Sequence, residues 1–131
     1  MKRILIVDDS PLIRGHLRTL LERQPDWSVC GEAENGLAGI DQAQQFHPDL
    51  IVMDLAMPVL NGIEASRVLK RLMPETPLLL FTTFTDASIK KVALAAGVHA
   101  VVDKSEANTT LIRSIQQLFG SALPPRTHIA A

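Results

Sequence analysis

Asp54 closes an apolar run, Asp49-Leu50-Ile51-Val52-Met53-Asp54, and turn-forming residues follow it at once: Ala56-Met57-Pro58, then Asn61-Gly62. An earlier run, Arg3-Ile4-Leu5-Ile6-Val7, ends the same way on Asp8-Asp9. Two later runs end on groups of other chemistry, one on Thr82-Thr83 and one on Asp103-Lys104. Three carboxylates brought to one place repel one another unless a cation holds them or their pKa values rise. A hard divalent cation, Mg2+ (or Mn2+), suits such a set and leaves positions open for phosphate oxygens. With a hydroxyl and an ammonium beside them, one carboxylate could attack a phosphoryl group while positive charge neutralises its equatorial oxygens.

These residues meet only if the fold brings the ends of separate strands together. The runs are apolar without alternation, which is how strands buried on both faces read. Strands are expected over residues 3–7, 28–31, 50–53, 77–82 and 100–102, with helices between them. Ser10-Pro11 is an N-cap followed by proline in the first turn, and Ile13, Leu17, Leu20 and Leu21 recur at helical spacing. A second helix is predicted over 37–46 and stopped by Pro48; a third runs from Gly62 to about Met73, where Pro74 and Pro77 forbid continuation. The fourth covers 87–96, capped by Asp86 and ended by Gly97, and the fifth covers 106–119, ended by Gly120. Five strand–helix units specify an α/β, doubly wound, five-stranded parallel sheet with helices on both faces and right-handed crossovers. A flavodoxin-like strand order 2-1-3-4-5 would set the carboxyl ends of strands one and three side by side at the switch point. Those are the ends that carry Asp8-Asp9 and Asp54.

The 131 residues suffice for a single domain with a real core, and 47% apolar with 21% charged residues is an ordinary globular balance. Domain limits are expected at 1–120, with 121–131, including Ala122-Leu123-Pro124-Pro125-Arg126, as a linker or flexible tail. A formal net charge of −1 supplies no basic field for direct nucleic-acid binding, and four Phe, one Trp and no Tyr offer little for base stacking. The one cysteine, Cys30, reads as a small buried hydrophobe, and a cytoplasmic setting fits. After Met1-Lys2-Arg3 the apolar stretch is too short for a signal peptide or a membrane span. His16, His47, His99 and His128 lack metal-ligand spacing and read as surface or structural. Arg67, Lys70, Arg71, Lys90 and Lys91 read as solvated helix faces.

Taken one at a time, the candidate residues have plain structural readings. Asp8-Asp9 could favour a helix N-terminus, Asp54 could form a turn, Lys104 could be a solvated lysine and Thr82 an ordinary strand residue. In combination and in order they are specific. The chain resembles the receiver domain of two-component response regulators over residues 2 to about 120. The resemblance rests on Asp8-Asp9, the stretch from Met53 to Gly62, Thr82 and Lys104. Gly31-Glu32-Ala33-Glu34-Asn35-Gly36 and Gly62-Ile63-Glu64-Ala65 further resemble receivers attached to helix-turn-helix (LuxR/FixJ-type) transcription regulators.

This resemblance implies roles. Asp54 would be the phospho-acceptor and a metal ligand, Asp9 a direct ligand, Asp8 a second acid acting through water, and the backbone carbonyl of Ala56 a further ligand. Thr82 would be the switch hydroxyl, and Lys104 would pair with Asp54 and then with its phosphate. A sensor histidine kinase would donate the phosphoryl group. The output surface would be strand four, helix four, strand five and helix five, often a dimer face in relatives; the chain would be either a stand-alone receiver or, as Leu123-Pro124-Pro125 hints, one cut at a linker before a DNA-binding domain. No membrane is implied. The sequence departs from the family pattern at Val101, where an aromatic switch residue is usual, and at Ser105, where proline is frequent. Without proline, a cis peptide there would cost about 2.5–4 kcal/mol. Ala56 and Phe84 occupy positions that tune phosphoryl lifetime in the family; both are apolar, which predicts slow self-dephosphorylation.

Other functions fit less well. An aspartate-nucleophile phosphatase would want a second aspartate where Ala56 stands. A flavin or nucleotide module would want backbone donors after strand one, where Asp8-Asp9-Ser10-Pro11 puts negative charge and deletes a donor. A stand-alone receiver or a pseudo-receiver acting only through protein contacts is the alternative within the family, and the complete acidic set argues against the second.

Overall fold

Strands and helices alternate throughout the computed structural model, which describes residues 1–120: β1 (Lys2–Val7), α1 (Pro11–Glu22), β2 (Trp27–Ala33), α2 (Gly36–Phe46), β3 (Leu50–Met53), α3 (Gly62–Leu72), β4 (Leu78–Thr82), α4 (Ala87–Ala95), β5 (Ala100–Asp103) and α5 (Asn108–Gly120). The strands form one parallel sheet in the order β2-β1-β3-β4-β5, as expected. The linker or tail expected over 121–131, and His128 within it, lie outside the described residues.

Alternate residues of each strand feed two cores. Ile4, Ile6, Leu50, Val52, Leu79 and Phe81 pack with Leu17, Leu20 and Leu21 of α1 and with Leu111 and Ile115 of α5. Leu5, Val7, Ile51 and Met53 pack on the other face with Ile40 and Ala43 of α2 and Ala65 and Leu69 of α3. Leu80 continues that face against Ala93 of α4 and Ala96, which caps its C-terminal end. A strand wetted on neither side must be apolar at every position, which is why no alternation shows in the sequence. Each fully buried leucine contributes about 1.5–3 kcal/mol through transfer from water.

Element ends differ from the sequence expectation where side chains intervene. Helix α5 starts at Asn108 rather than at residue 106, because residues 103–106 form a turn in which Ser105 N–H donates to Asp103 Oδ1 (2.9 Å) and Glu106 N–H to the Asp103 carbonyl (3.0 Å). β2 is longer than expected, and its register against β1 slips between Ile4 and Leu5, skipping Cys30. Cys30 is therefore half-buried at an irregularity, not fully enclosed, though it packs against the core, and burial raises its thiol pKa. β4 begins one residue after Pro77, which lacks an N–H, and Leu78 N–H donates instead to His99 Nδ1 at 3.0 Å. That bond gives His99 a structural role. His16 is exposed, and His47 ends α2 in a left-handed conformation (φ 48°). Arg67, Lys70, Arg71, Lys90 and Lys91 are all exposed. Among the described residues there is no cis peptide, and no helix is long and apolar enough to cross a membrane.

Candidate functional site

The ladder bonds of the sheet continue past the strand ends into the acidic residues. Asp8 N–H donates to the Ala33 carbonyl and Asp54 N–H to the Val7 carbonyl, each at 2.9 Å. The backbones of both aspartates are thus held by neighbouring strands, as firmly as if they belonged to them. Carboxylate oxygens of Asp8, Asp9 and Asp54 lie within 4.8 Å of one another. Asp8 and Asp54 are buried, whereas Asp9 is exposed at the rim.

Lys104 crosses to this cluster from the turn after β5. Its Nζ is 2.9 Å from Asp8 Oδ2 and 3.2 Å from Asp54 Oδ2. The pairing expected with Asp54 is present, and a shorter one to Asp8 accompanies it. Burial pushes the Asp54 carboxyl above its ordinary pKa; Lys104 opposes this, and Asp8 adds to it. Burial works to lower the Lys104 pKa, but the hydrogen bond to Asp8 and the charges of Asp54 and Asp8 outweigh it, so the net direction is up. One ammonium therefore faces two buried carboxylates with a third nearby, leaving negative charge over. Three close, hard oxygen donors with excess negative charge are a donor set that fits a small divalent cation.

Glycines set the floor of the site. A Cβ on Gly62 would run into the Asp54 carbonyl, and one on Gly36 into the Leu60 carbonyl. Their N–H groups use the closeness: Gly62 donates to the Leu55 carbonyl at 2.8 Å and Gly36 to the Leu60 carbonyl at 2.9 Å. Each follows an asparagine that caps its helix, Asn61 accepting from Glu64 N–H and Asn35 from Ala38 N–H. The loop after Asp54 is thereby clamped at both ends. Asp54 Oδ1 accepts from Leu55 N–H at 2.8 Å, which turns the carboxylate toward Lys104. Within the loop Ala56 is exposed, and Val59 takes a left-handed conformation (φ 70°).

Thr82 ends β4 and is fully buried. Its Oγ1 accepts from Phe84 N–H at 3.1 Å, and its carbonyl accepts from Lys104 N–H at 3.0 Å. The backbone bond places Thr82 and Lys104 side by side at the sheet edge, but the hydroxyl is engaged by its own loop rather than by the acidic cluster. Val101 is half-buried against Leu80, Ala93 and Ala96.

Two polar networks around the site were missed from the sequence. Arg14 Nη1 donates to the Asp8 carbonyl at 2.6 Å while its Nε meets Glu32 Oε1 at 3.1 Å. Glu32 also takes Arg18 Nε at 2.7 Å, a bond that chiefly holds its carboxyl below the ordinary range. The signal was available: Arg14 and Arg18 are four apart on one helix face, although nothing in the sequence names Glu32 as their partner. The second network joins Thr85 to Asp103, where Thr85 Oγ1 donates to Asp103 Oδ2 at 2.7 Å. Asp103 stands at the strand end beside Lys104, but its side chain turns to Thr85 and Ser105 and not to the acidic cluster.

The sequence matches the family model described as "Response regulator receiver domain" over residues 4–116. The transcriptional regulatory protein LnrK of Bacillus subtilis is 31% identical over 127 residues, covering 95% of this chain and 58% of that protein. A protein-glutamate methylesterase/protein-glutamine glutaminase of a Nocardioides species is 36% identical over 124 residues, covering 93% of this chain and 34% of that protein. This chain thus spans little more than half the length of the first and a third of the second. Among solved structures, a LuxR-family two-component response regulator from an Aurantimonas species superposes with a TM-score of 0.86 at 34% identity, over 90% of this chain and 85% of that one. The response regulator domain of Thermotoga maritima CheB superposes with a TM-score of 0.87 at 30% identity, over 94% of this chain and 99% of that one.

Proposed function

The chain belongs to the response regulator receiver domain family, and from that premise we propose that it accepts a phosphoryl group on Asp54 from a sensor histidine kinase and switches conformation to control an output. The observation that carries this reading is the sharing of one ammonium, Lys104 Nζ, between the buried carboxylates of Asp8 and Asp54. That geometry holds a carboxylate at the sheet edge with a cation already placed for the phosphoryl oxygens.

In the transfer, an Asp54 Oδ attacks phosphorus, an O–P bond forms, and the N–P bond to the donor histidine breaks with its electron pair returning to the ring. Lys104, freed from Asp54 as that oxygen becomes acylphosphate, pairs with the new phosphoryl oxygens. Asp8, Asp9, Asp54 and the backbone carbonyl of Ala56 would hold Mg2+ (or Mn2+), which when bound neutralises charge developing on the transferring group. Thr82 then leaves Phe84 N–H and donates a hydrogen bond from its hydroxyl to the phosphate, so that two conformations differ in contacts made by the same group. The aspartyl phosphate carries about −1.5 to −2 charge, enough to hold both Thr82 and Lys104.

Transcription is the proposed output, supported by the name of the Bacillus subtilis relative and the LuxR family of the Aurantimonas structure. Residues 1–120 would form the receiver and 121–131 the linker toward a DNA-binding region, the receiver itself making no contact with nucleic acid. Pairing through α4, β5 and α5 would give a homodimer, and a kinase donor implies a cytoplasmic site of action. Incubation with acetyl phosphate and Mg2+ should add one phosphate by mass spectrometry, and Asp54→Asn should remove it. A modification that persists in Asp54→Asn refutes the site.

A further inference from the structure

A small polar cluster ties the loop after Thr82 to the turn that carries Lys104. Asp103 is register-paired with Thr82 across β4 and β5. One of its oxygens, Oδ2, takes the Thr85 hydroxyl at 2.7 Å. The other, Oδ1, takes Ser105 N–H at 2.9 Å and the Ser105 hydroxyl at 2.8 Å. The carboxylate thus has one oxygen on the loop and one on the turn. Asp86, next after Thr85, caps α4 by accepting from Ile89 N–H. Any displacement of residues 83–85 therefore reaches the start of that helix.

We propose that the Thr85–Asp103 hydrogen bond is a latch that holds the loop between β4 and α4 in its resting position and releases when Thr82 turns to a phosphoryl group on Asp54. The inference rests on the proposed role of Asp54. In the resting structure the Thr82 hydroxyl accepts from Phe84 N–H, so its departure frees the loop at its first residues. Thr85 then has to follow or hold. Asp103 stays where it is, because the two Ser105 bonds and the Glu106 N–H to its carbonyl anchor it to the turn. The strain of the movement falls on the single Thr85 contact, and its rupture passes the displacement to α4. Val101 is an aliphatic side chain with one rotatable bond and no ring, so coupling through the loop does not require it to swing. The latch opposes activation, and its removal makes activation easier.

The test is titration of the full chain with beryllium trifluoride in Mg2+, following backbone amide shifts of residues 82–87 by NMR. Thr85→Val keeps shape and removes the donor; it should lower the midpoint about three- to tenfold, the span expected for losing one hydrogen bond from the resting state alone. Thr85→Ser restores the donor and should return the midpoint to that of the wild type. Thr85→Ala serves as a second deletion and should shift the midpoint in the same direction. A midpoint for Thr85→Val and Thr85→Ala equal to or above the wild type overturns the latch, as does Thr85→Ser behaving like Thr85→Val. If the wild type itself does not respond, the Asp54 reading falls and the latch with it; a responding wild type with unshifted variants removes the latch alone.

Discussion

Lys104 lies closer to Asp8 than to Asp54, 2.9 Å against 3.2 Å. The lysine comes from the far end of the chain, and its partner Asp8 is only 2% exposed. Its ammonium therefore serves the carboxylate that Asp54 needs kept in place, as well as Asp54 itself.

Lys104→Met should destabilise the fold by roughly 1–3 kcal/mol in chelator-containing buffer, between the values for exposed and fully buried pairs, since it strands a buried carboxylate. Added Mg2+ should recover part of that loss. Urea denaturation with and without the cation measures both, and an unchanged midpoint in chelator would mean that Lys104 does not stabilise the resting site.

Asp54→Asn should act in the opposite direction. Removing a buried charge beside Asp8 relieves desolvation and like-charge repulsion, at the loss of a shared ion pair, so stability without metal should rise by about 1 kcal/mol. For a domain of this size that is a melting shift of about 2–8 °C. A lower melting temperature would show that the Lys104 pairing outweighs the repulsion. The same variant should lose its Mg2+-dependent stabilisation.

Gly62→Ala places a methyl group against the Asp54 carbonyl, a backbone atom that cannot swing aside. The expected loss is about 1–3 kcal/mol, as for other overpacked sites. Phosphorylation by acetyl phosphate should also slow, because the displaced backbone is that of Asp54, the proposed acceptor. Wild-type stability and rate in this variant would mean that the loop is slack.

His99 should give stability a pH dependence near neutrality. Burial chiefly holds its imidazole below the ordinary value of 6.5, and neutral Nδ1 accepts from Leu78 N–H. Because the folded pKa is lower than the unfolded one, the unfolded chain binds the proton first. The contribution is complete above pH 6.5 and is lost as pH falls through the lowered folded value. Unfolding free energy should decline over that interval, and His99→Gln should flatten the decline.

Phosphoryl loss from the wild type should be slow, over minutes to hours and not seconds. Ala56 is exposed and Phe84 is 52% exposed at the rim, and neither side chain can hold an attacking water. Following phosphoprotein on a phosphate-affinity gel in Mg2+ buffer gives the rate directly; complete loss within seconds contradicts this assignment.

Apolar runs without alternation, proline and glycine stops and capping residues make five strand–helix units legible in the sequence, whereas the sheet order 2-1-3-4-5 was expected only by analogy with flavodoxin-like folds. Such signals are local, and burial on both faces leaves its mark on every residue of a strand such as Leu50–Met53. The same reading gathered Asp8, Asp9, Asp54, Thr82 and Lys104 to one edge, because topology places the strand ends there. Which polar group takes which partner emerges only once the chain is folded. Lys104 meeting Asp8, Arg14 reaching the Asp8 carbonyl, Gly62 against Asp54 and Thr85 on Asp103 all join residues from different elements. A hydrogen bond is settled over a few tenths of an ångström, and strand and helix periodicity carries no information at that scale. The turn that delays α5 to Asn108 shows the same limit, since Asp103 and Ser105 compete locally with the helix for backbone partners.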